Sequence, residues 1–397
     1  MTSKSWPRRF AAVCATNLLA AVAAAQPPAP AAPPAIALVD GADTAQWQTW
    51  TQGTGWQVIA AEGASNSNVD QRVLSLAAKV EASIKSGAVD PARVYLAGRG
   101  DAAAAVFYTI SRLPDLWAAA VALGGSPKPA IDTNRLFTAN FTLVPVLWIS
   151  GEDGKPLADK LAAANLNVEW KPVSSGASAA TVIEWLARHK RDEFPASIDC
   201  ETLSPQFARC YWIQMTKFDA AERNDVLVST RVPGGNGAAL DLGGFGFKLD
   251  DPGPGVLINF LPEKYVGPLK LNDRLVALGG KPLANARALQ DILDKATEEV
   301  HTAVTVLRGK ERIRVDTRIM VARRDPAVSA RVQAQYLPAE KSIQIISRTV
   351  TEMKVTVPPA WVPGSLLWNG LTLEELKEPG CWALAMQKEI LHAERCK

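Results

Sequence analysis

The feature that most constrains the fold is a regular alternation of short apolar segments with amphipathic ones between residues 35 and 195. Apolar segments such as 93–97 and 144–149 lack polar alternation, which is typical of strands buried on both faces. Segments such as 69–86 and 179–189 carry apolar residues at helical spacing. Repeated strand–helix–strand units predict a parallel sheet with right-handed crossovers, so we expect an α/β domain here.

Beyond Cys200 the pattern changes to short alternating strands, so the predicted fold class is α/β followed by a β-rich part. Residues of about 240–320 form one self-contained unit. Strands are predicted before it over 210–217 and 226–232, and after it over 328–336, 342–348 and 353–357. We predict that this unit is inserted into a small β domain whose flanking strands share one sheet; a linear string of domains is the alternative. The predicted divisions are 1–25, 26–34, 35–195, 196–238, 239–320 and 321–397, the last a β segment with a terminal helix.

The first 25 residues have the organisation of a secretory signal peptide. Lys4, Arg8 and Arg9 precede an apolar run at 11–25 that ends in three alanines. A membrane anchor is the alternative, but the run is shorter than the roughly 20 residues that a span requires. We therefore expect a secreted or periplasmic protein with no integral membrane segment after signal removal. Residues 26–34 predict an extended, mobile Pro/Ala linker.

The charge balance argues against nucleic acid as a partner. The chain has 43 Lys and Arg and 40 Asp and Glu; three of the basic residues and none of the acidic ones lie within residues 1–25. The remainder therefore carries 40 of each sign and is formally neutral. No basic face is implied, and nucleic-acid binding depends on one.

Four of the five cysteines remain after the predicted signal, an even number in a compartment that permits disulfides. Cys200 and Cys210 would close a short loop. Cys381 and Cys396 flank a stretch with helical character, which would hold them about 22 Å apart, so other pairings stay open. No CxxC spacing or histidine cluster favours a metal site, and no cofactor is expected.

The predicted strand at 93–97 leads into the run Gly98-Arg99-Gly100-Asp101-Ala102. Residues 89–102 resemble the strand and nucleophile elbow of α/β hydrolases, most closely secreted esterase and dipeptidyl-peptidase-like members. The elbow has the pattern G-x-S-x-G, with the serine on a strained strand-to-helix turn. Here Gly100 takes the serine position and has no side chain for attack. Asp101 is predicted to cap the following helix.

The resemblance also implies where the other two triad members would stand. The acid follows the strand at 144–149, where Asp153 is the candidate. The base should lie in the loop after Val173, which has no histidine. The only histidines are His189, His301 and His392, and His189 lies in a basic run at the end of a helix. The resemblance therefore implies an α/β hydrolase domain that has lost its serine and histidine.

A second resemblance begins at Gly244-Phe245-Gly246-Phe247, which is similar to the carboxylate-binding loop of PDZ domains. Residues 271–283 resemble the family's turn–strand–hairpin, with Asn272 where glycine is usual. Residues 304–315 resemble its closing hairpin. In such domains free backbone N–H groups capture a peptide's terminal carboxylate, and the strand after the loop accepts the peptide as an added strand.

The same resemblance suggests which helix residues line the peptide groove. With Asn285 as the cap of a helix at 286–295, Ala286, Gln290 and Leu293 share the face nearest the peptide. A core position is the alternative for Leu293. Because Ala286 offers no hydrogen bond, we expect apolar terminal residues of the ligand to determine selectivity.

The sequence therefore predicts an exported, non-catalytic protein whose PDZ-like unit binds peptide or protein C-termini and whose α/β part is a platform. The alternative is an active secreted serine-type hydrolase with a displaced site that uses Asp153 and an unrecognised nucleophile. An enzyme of that kind needs a base close to its nucleophile. No such pair is evident in the sequence.

Overall fold

The computed structural model describes residues 32–61, 68–175, 178–224, 226–232, 238–248, 251–296, 298–321, 328–387 and 390–396. The predicted signal, most of the linker and the glycine-rich segment 234–237 lie outside the described residues. The last residues of the predicted linker are hydrogen-bonded to the α/β part. The carbonyl of Pro33 accepts a hydrogen bond from the Asp90 N–H, and that of Pro34 from the Gln57 N–H, both at 2.9 Å.

A six-stranded parallel sheet organises the first part of the chain, as the alternation of residues 35–195 predicted. Its order is β2-β1-β3-β4-β5-β6, and every neighbouring pair is parallel. The strands are Ala35–Leu38 (β1), Gln57–Ala60 (β2), Val94–Arg99 (β3), Ala119–Leu123 (β4), Val146–Ser150 (β5) and Val168–Pro172 (β6).

Helices cover both faces of this sheet. They are Thr44–Thr51 (α1), Val69–Lys85 (α2), Ala102–Arg112 (α3), Lys128–Asp132 (α4), Lys155–Ala163 (α5) and Ala179–Ala187 (α6). Alternate strand residues face opposite sides: Ala35 and Ala37 pack with α2, α3 and α5, whereas Ile36 and Leu38 pack with α1 and α6. Burial on both faces explains why the strands have no polar alternation.

The strand order reverses at β1. The chain passes from β1 to β2 on one side and then returns to β3 on the other side of β1. In open parallel sheets the crevice beyond the carboxyl ends at such a reversal is the usual ligand site. Residues that follow β1, β3 and β5 therefore meet at one edge, which we call the carboxyl edge.

Two five-stranded sheets form the β part, and both mix strands from before and after the 239–320 unit. Their orders are β21-β20-β18-β17-β7 and β23-β22-β19-β9-β8, around a core that includes Trp212, Trp361 and Trp368. The strands are Ser197–Thr202 (β7), Arg209–Cys210 (β8), Ile213–Phe218 (β9), Ala330–Leu337 (β17), Ser342–Arg348 (β18), Val350–Val357 (β19), Gly364–Trp368 (β20), Leu371–Leu376 (β21), Gly380–Gln387 (β22) and Ile390–Arg395 (β23). The flanking strands thus pair as the insertion hypothesis requires, in two sheets instead of one.

The inserted unit has its own sheet, of order β10-β16-β15-β13-β12-β11, with β14 paired to β13. One helix packs on it over a separate core. The elements are Ala239–Leu240 (β10), Gly246–Phe247 (β11), Val256–Phe260 (β12), Arg274–Leu278 (β13), Lys281–Pro282 (β14), Ala286–Lys295 (α7), Val300–Arg308 (β15) and Glu311–Met320 (β16).

Glu201 joins the three parts of the chain. Its buried carboxylate accepts hydrogen bonds from Ser229 Oγ at 2.5 Å, from Thr230 N and Oγ1 at 2.7 Å each, and from Ser329 Oγ. Its backbone exchanges two hydrogen bonds with the side chain of Asn140, in the α/β part. The segments that lead into and out of the inserted unit are therefore held together at one side chain.

The C-terminal helix predicted for 321–397 is wrong, because residues 380–387 and 390–395 pair as the antiparallel strands β22 and β23. In a hairpin the two ends lie side by side, and Cys381 and Cys396 form a disulfide with Cα atoms 5.3 Å apart. Cys200 and Cys210 form the other disulfide. The pattern of alternating small and apolar residues at 382–386 is compatible with a half-buried strand and with a helix. Hydrogen bonding to β19 favours the strand.

Two other expectations change in detail. The strand predicted over 210–217 is a hairpin, because Tyr211 has φ +52° and turns the chain between β8 and β9. The segment predicted as a strand over 226–232 begins with a turn and has one isolated bridge, Arg231 to Phe137. Among the helices of the described ranges, none is long and apolar enough to cross a membrane.

Candidate functional site

The turn from β3 to α3 keeps an elbow geometry at Gly100. Gly100 has φ +59°, in the left-handed region that side chains other than glycine rarely adopt. Its N–H donates to the Leu123 carbonyl at 2.8 Å, and its own carbonyl accepts from the Ala103 N–H at 3.0 Å. The turn is thus fixed to β4 on one side and to α3 on the other.

The glycines around this turn meet very different surroundings. A Cβ on Gly98 would lie 2.6 Å from the Ala102 carbonyl oxygen, and one on Gly125 would lie 2.1 Å from that of Gly100. A Cβ on Gly100 would meet nothing within 4 Å. Close packing therefore requires the neighbouring glycines, whereas position 100 opens into free space.

The candidate acid, Asp153, lies at the carboxyl edge in a short 3-10 turn after β5. Its side chain is 74% exposed, and Arg287 Nη2 lies 4.0 Å from its Oδ2. Ser150, at the end of β5, is buried; its hydroxyl accepts from Trp170 Nε1 at 2.9 Å and donates to the Gly151 carbonyl. That serine is held by structural contacts.

His189 lies at the opposite edge of the sheet. Its carbonyl accepts a hydrogen bond from the Tyr95 hydroxyl, near the start of β3, and its ring packs on Trp185 at 4.4 Å. Burial lowers the pKa of the imidazole, and Arg188 lowers it further against the opposing effect of Glu169. His301 and His392 lie on β15 and β23, outside the α/β part. The structure thus brings no histidine to Gly100.

The Gly244–Phe247 segment forms the loop and edge strand of the inserted sheet. β11 pairs only with β12 in the sheet order, so its outer side is unpaired. Within the described chain, the backbone N–H groups of Gly244 and Phe245 donate no hydrogen bond. Phe245 and Phe247 are half-buried against the core of the unit, with ring centroids 6.1 Å apart. Free donors therefore stand beside an apolar surface.

Helix α7 lies beside this strand and begins as the sequence predicts. The Asn285 side chain accepts from the Ala288 N–H at 3.0 Å and caps the helix. Ala286 and Leu293 are buried together with Leu289 in the core, whereas Gln290 is half-buried and donates to Asp294. Of the three predicted groove residues, Gln290 is thus the one with a partly exposed side chain.

Some structural roles escape sequence reasoning. Asp101 has helical backbone angles and its side chain makes no capping hydrogen bond with α3, contrary to expectation. The junction at Glu201 joins residues between 28 and 128 positions apart, and Arg287 lies far along the chain from Asp153. Glu201 stands between Cys200 and Thr202 in β7, and nothing local distinguishes it from a solvent-facing residue.

Comparison with solved structures finds esterases. A thermostable esterase is 17% identical with a TM-score of 0.28, and the alignment covers 40% of this chain and 55% of that chain. Esterase Est22 is 12% identical with a TM-score of 0.32, covering 41% and 74%. Esterase 2 of Thermogutta terrifontis is 14% identical with a TM-score of 0.32, covering 40% and 83%. The chain thus spans little more than half the length of the thermostable esterase.

These TM-scores lie below 0.5, so the description of the α/β part rests on its strand order and on the turn at Gly100. No protein-family model matches the chain, and no curated protein matches it either.

Proposed function

We propose that this is an exported, non-catalytic binding protein of the cell envelope that captures polypeptide C-termini. The PDZ-like unit at 239–320 is the binding module, and the α/β part is a degenerate hydrolase domain that serves as its platform. The observation that carries the proposal is the pair of unused N–H groups at Gly244 and Phe245 beside the edge strand β11. A carboxylate accepts such donors, and an extended peptide adds to such an edge.

The α/β part supports a platform because its turn lacks the groups that acyl transfer needs. Gly100 offers no nucleophile, and His189 lies at the other edge of the sheet. A displaced serine-type site remains the competing function. The serine nearest the candidate acid, Ser150, is buried and hydrogen-bonded to Trp170. A serine without a neighbouring base is a weak nucleophile.

Peptide binding is tested with a library of peptides that carry free C-termini, each matched to an amidated copy. Free carboxylates with apolar last residues should bind, and the amides should lose most of the affinity. Phe247→Asp should abolish binding. Val300→Asp is the control, because Val300 lies on β15, which β12 and β13 separate from β11, and is 44% exposed.

Catalysis is tested in parallel with a fluorophosphonate probe and short esters. The proposal predicts neither labelling nor turnover. Labelling that survives repeated purification would support the displaced hydrolase instead, and the labelled residue would identify its nucleophile. Equal binding of free and amidated peptides would contradict carboxylate capture.

A further inference from the structure

The direction of the groove follows from strand β12. Its last residue, Phe260, pairs with Gly246 beside the carboxylate loop. At its other end, the Gly255 N–H donates to the Ala284 carbonyl at 3.0 Å, immediately before the Asn285 cap of α7. A peptide antiparallel to β11, with its carboxylate at the loop, therefore leaves the groove at the first turn of α7.

That first turn of α7 meets the α/β part. Arg287, two residues after the cap, approaches Asp153 to 4.0 Å. Asp153 lies at the carboxyl edge after β5, and β5 neighbours β4, which in turn neighbours β3. The upstream end of the groove thus opens toward the edge where Gly100 leaves free space.

The charges at that edge favour a basic chain. Asp101 after β3, and Glu152 and Asp153 after β5, are exposed carboxylates. Two lysines at the same edge pair with neighbouring aspartates, and Arg99 is a cation that donates to the neutral Gln46. A Lys or Arg that arrives from the groove would meet mainly negative side chains, and Arg287 would be its competitor for Asp153.

We propose that the groove and the carboxyl edge form one continuous track for an extended C-terminal tail. The partner is a polypeptide with a free carboxylate, an apolar last residue, and Lys or Arg residues upstream of its last five. This inference rests on the proposed function, since the groove supplies the anchor. The degenerate hydrolase edge then acts as a second contact that selects among tails.

The length of the groove determines which peptide lengths should be compared. Helix α7 has 10 residues, or about 15 Å at 1.5 Å per residue, and an extended chain advances about 3.3 Å per residue. A tail of five residues therefore fills the groove alone. A tail of 12 residues reaches the carboxyl edge with several residues to spare.

Fluorescence anisotropy on the full chain would compare three tails with the same last five residues: five residues, 12 with Lys upstream, and 12 with Glu upstream. At low ionic strength we expect the Lys tail to bind about five- to tenfold more tightly than the short one, with an advantage that falls as salt screens the contacts. The Glu tail should gain nothing. Equal affinities for all three would overturn the track and leave the groove intact, whereas no binding of any tail would overturn both.

Variants then locate the second contact. The double variant Glu152→Gln and Asp153→Asn should reduce the advantage of the Lys tail to less than about twofold and leave the short tail unchanged. Arg287→Ala should strengthen binding of the Lys tail, because it removes the competitor for Asp153. Glu193→Gln, an exposed carboxylate after α6, is the matched control and should change neither. An undiminished advantage in the double variant would contradict the proposal.

Discussion

Gly100 and Gly244 are both exposed glycines in turns that adjoin a strand, yet they lead to opposite proposals. At Gly100 the turn is fixed by hydrogen bonds, but the residue has no side chain. At Gly244 the proposed function depends on backbone N–H groups, which every residue except proline carries. Catalysis by an elbow needs a serine and a histidine, whereas capture of a carboxylate needs only the backbone in the right conformation.

The difference also concerns how each turn is held. The Gly100 turn depends on the neighbouring glycines, because the backbones there approach too closely for a Cβ. Backbone hydrogen bonds fix it to β4 and α3. The turn is thus part of how the sheet and α3 pack together, and this packing requires the turn whether or not the domain is catalytic.

The sharpest test of this comparison substitutes two glycines of one turn. Gly98→Ala should reduce the free energy of unfolding by about 3 kcal/mol, because the new Cβ would overlap the Ala102 carbonyl. Gly100→Ala should cost about 1 kcal/mol, from backbone strain alone at φ +59°. Urea unfolding followed by tryptophan fluorescence measures both. Equal losses of unfolding free energy in the two variants would show that close packing around Gly98 is not what maintains the turn.

The junction at Glu201 should be nearly as sensitive. Glu201→Ala leaves the buried hydroxyl of Ser329 and the more exposed donors of Ser229 and Thr230 without an acceptor, and we expect a loss of about 2 kcal/mol. Hydrogen exchange should increase in 226–232 more than in the core strands of either neighbour. Glu201→Gln keeps one acceptor oxygen and should show a smaller change. Unchanged hydrogen exchange in that segment would show that Glu201 does not hold it in place.

A fall in pH should destabilise the inserted unit through protonation of Asp273. Burial by itself would raise the pKa of Asp273, but hydrogen bonds from Arg308 and the Lys270 N–H outweigh it and hold the pKa below the ordinary value of 3.8. Because the folded pKa is depressed, the stabilisation is fully present above that ordinary value. It is lost as pH falls through the folded pKa.

The measurement is thermal unfolding of the wild type and of Asp273→Asn between about pH 6 and pH 3, a range that brackets the ordinary Asp pKa. The wild type should lose stability toward the acid end, and the variant should start lower and change less. Exchange in 256–278 would show that the inserted unit is the part that responds. A variant with the wild-type pH dependence would assign the acid sensitivity to another carboxylate.

The smallest expected effect is at the start of α7. Asn285→Ala removes the hydrogen bond to the Ala288 N–H and should destabilise the inserted unit by about 1 kcal/mol, with Asn285→Ser close to wild type. Binding of the short tail should weaken slightly in the alanine variant, since α7 borders the groove. A loss of binding without loss of stability would place Asn285 itself in contact with the peptide.

The sequence by itself determined the parallel sheet, the start of α7 and the absence of a serine at position 100. Each depends on local patterns: apolar strands without alternation, a capping residue at a fixed offset, and the identity of one residue in a turn.

Only the tertiary structure decided the C-terminal hairpin, the disulfide Cys381–Cys396, the junction at Glu201 and the approach of Arg287 to Asp153. In each case the residues that make the contact are far apart in the sequence, or the local sequence pattern fits more than one structure. Residues 380–395 satisfy helix and strand patterns alike, and the neighbouring strand β19 supplies the hydrogen bonds that favour the strand. Local patterns specify which elements form, whereas the position of distant side chains depends on how those elements pack.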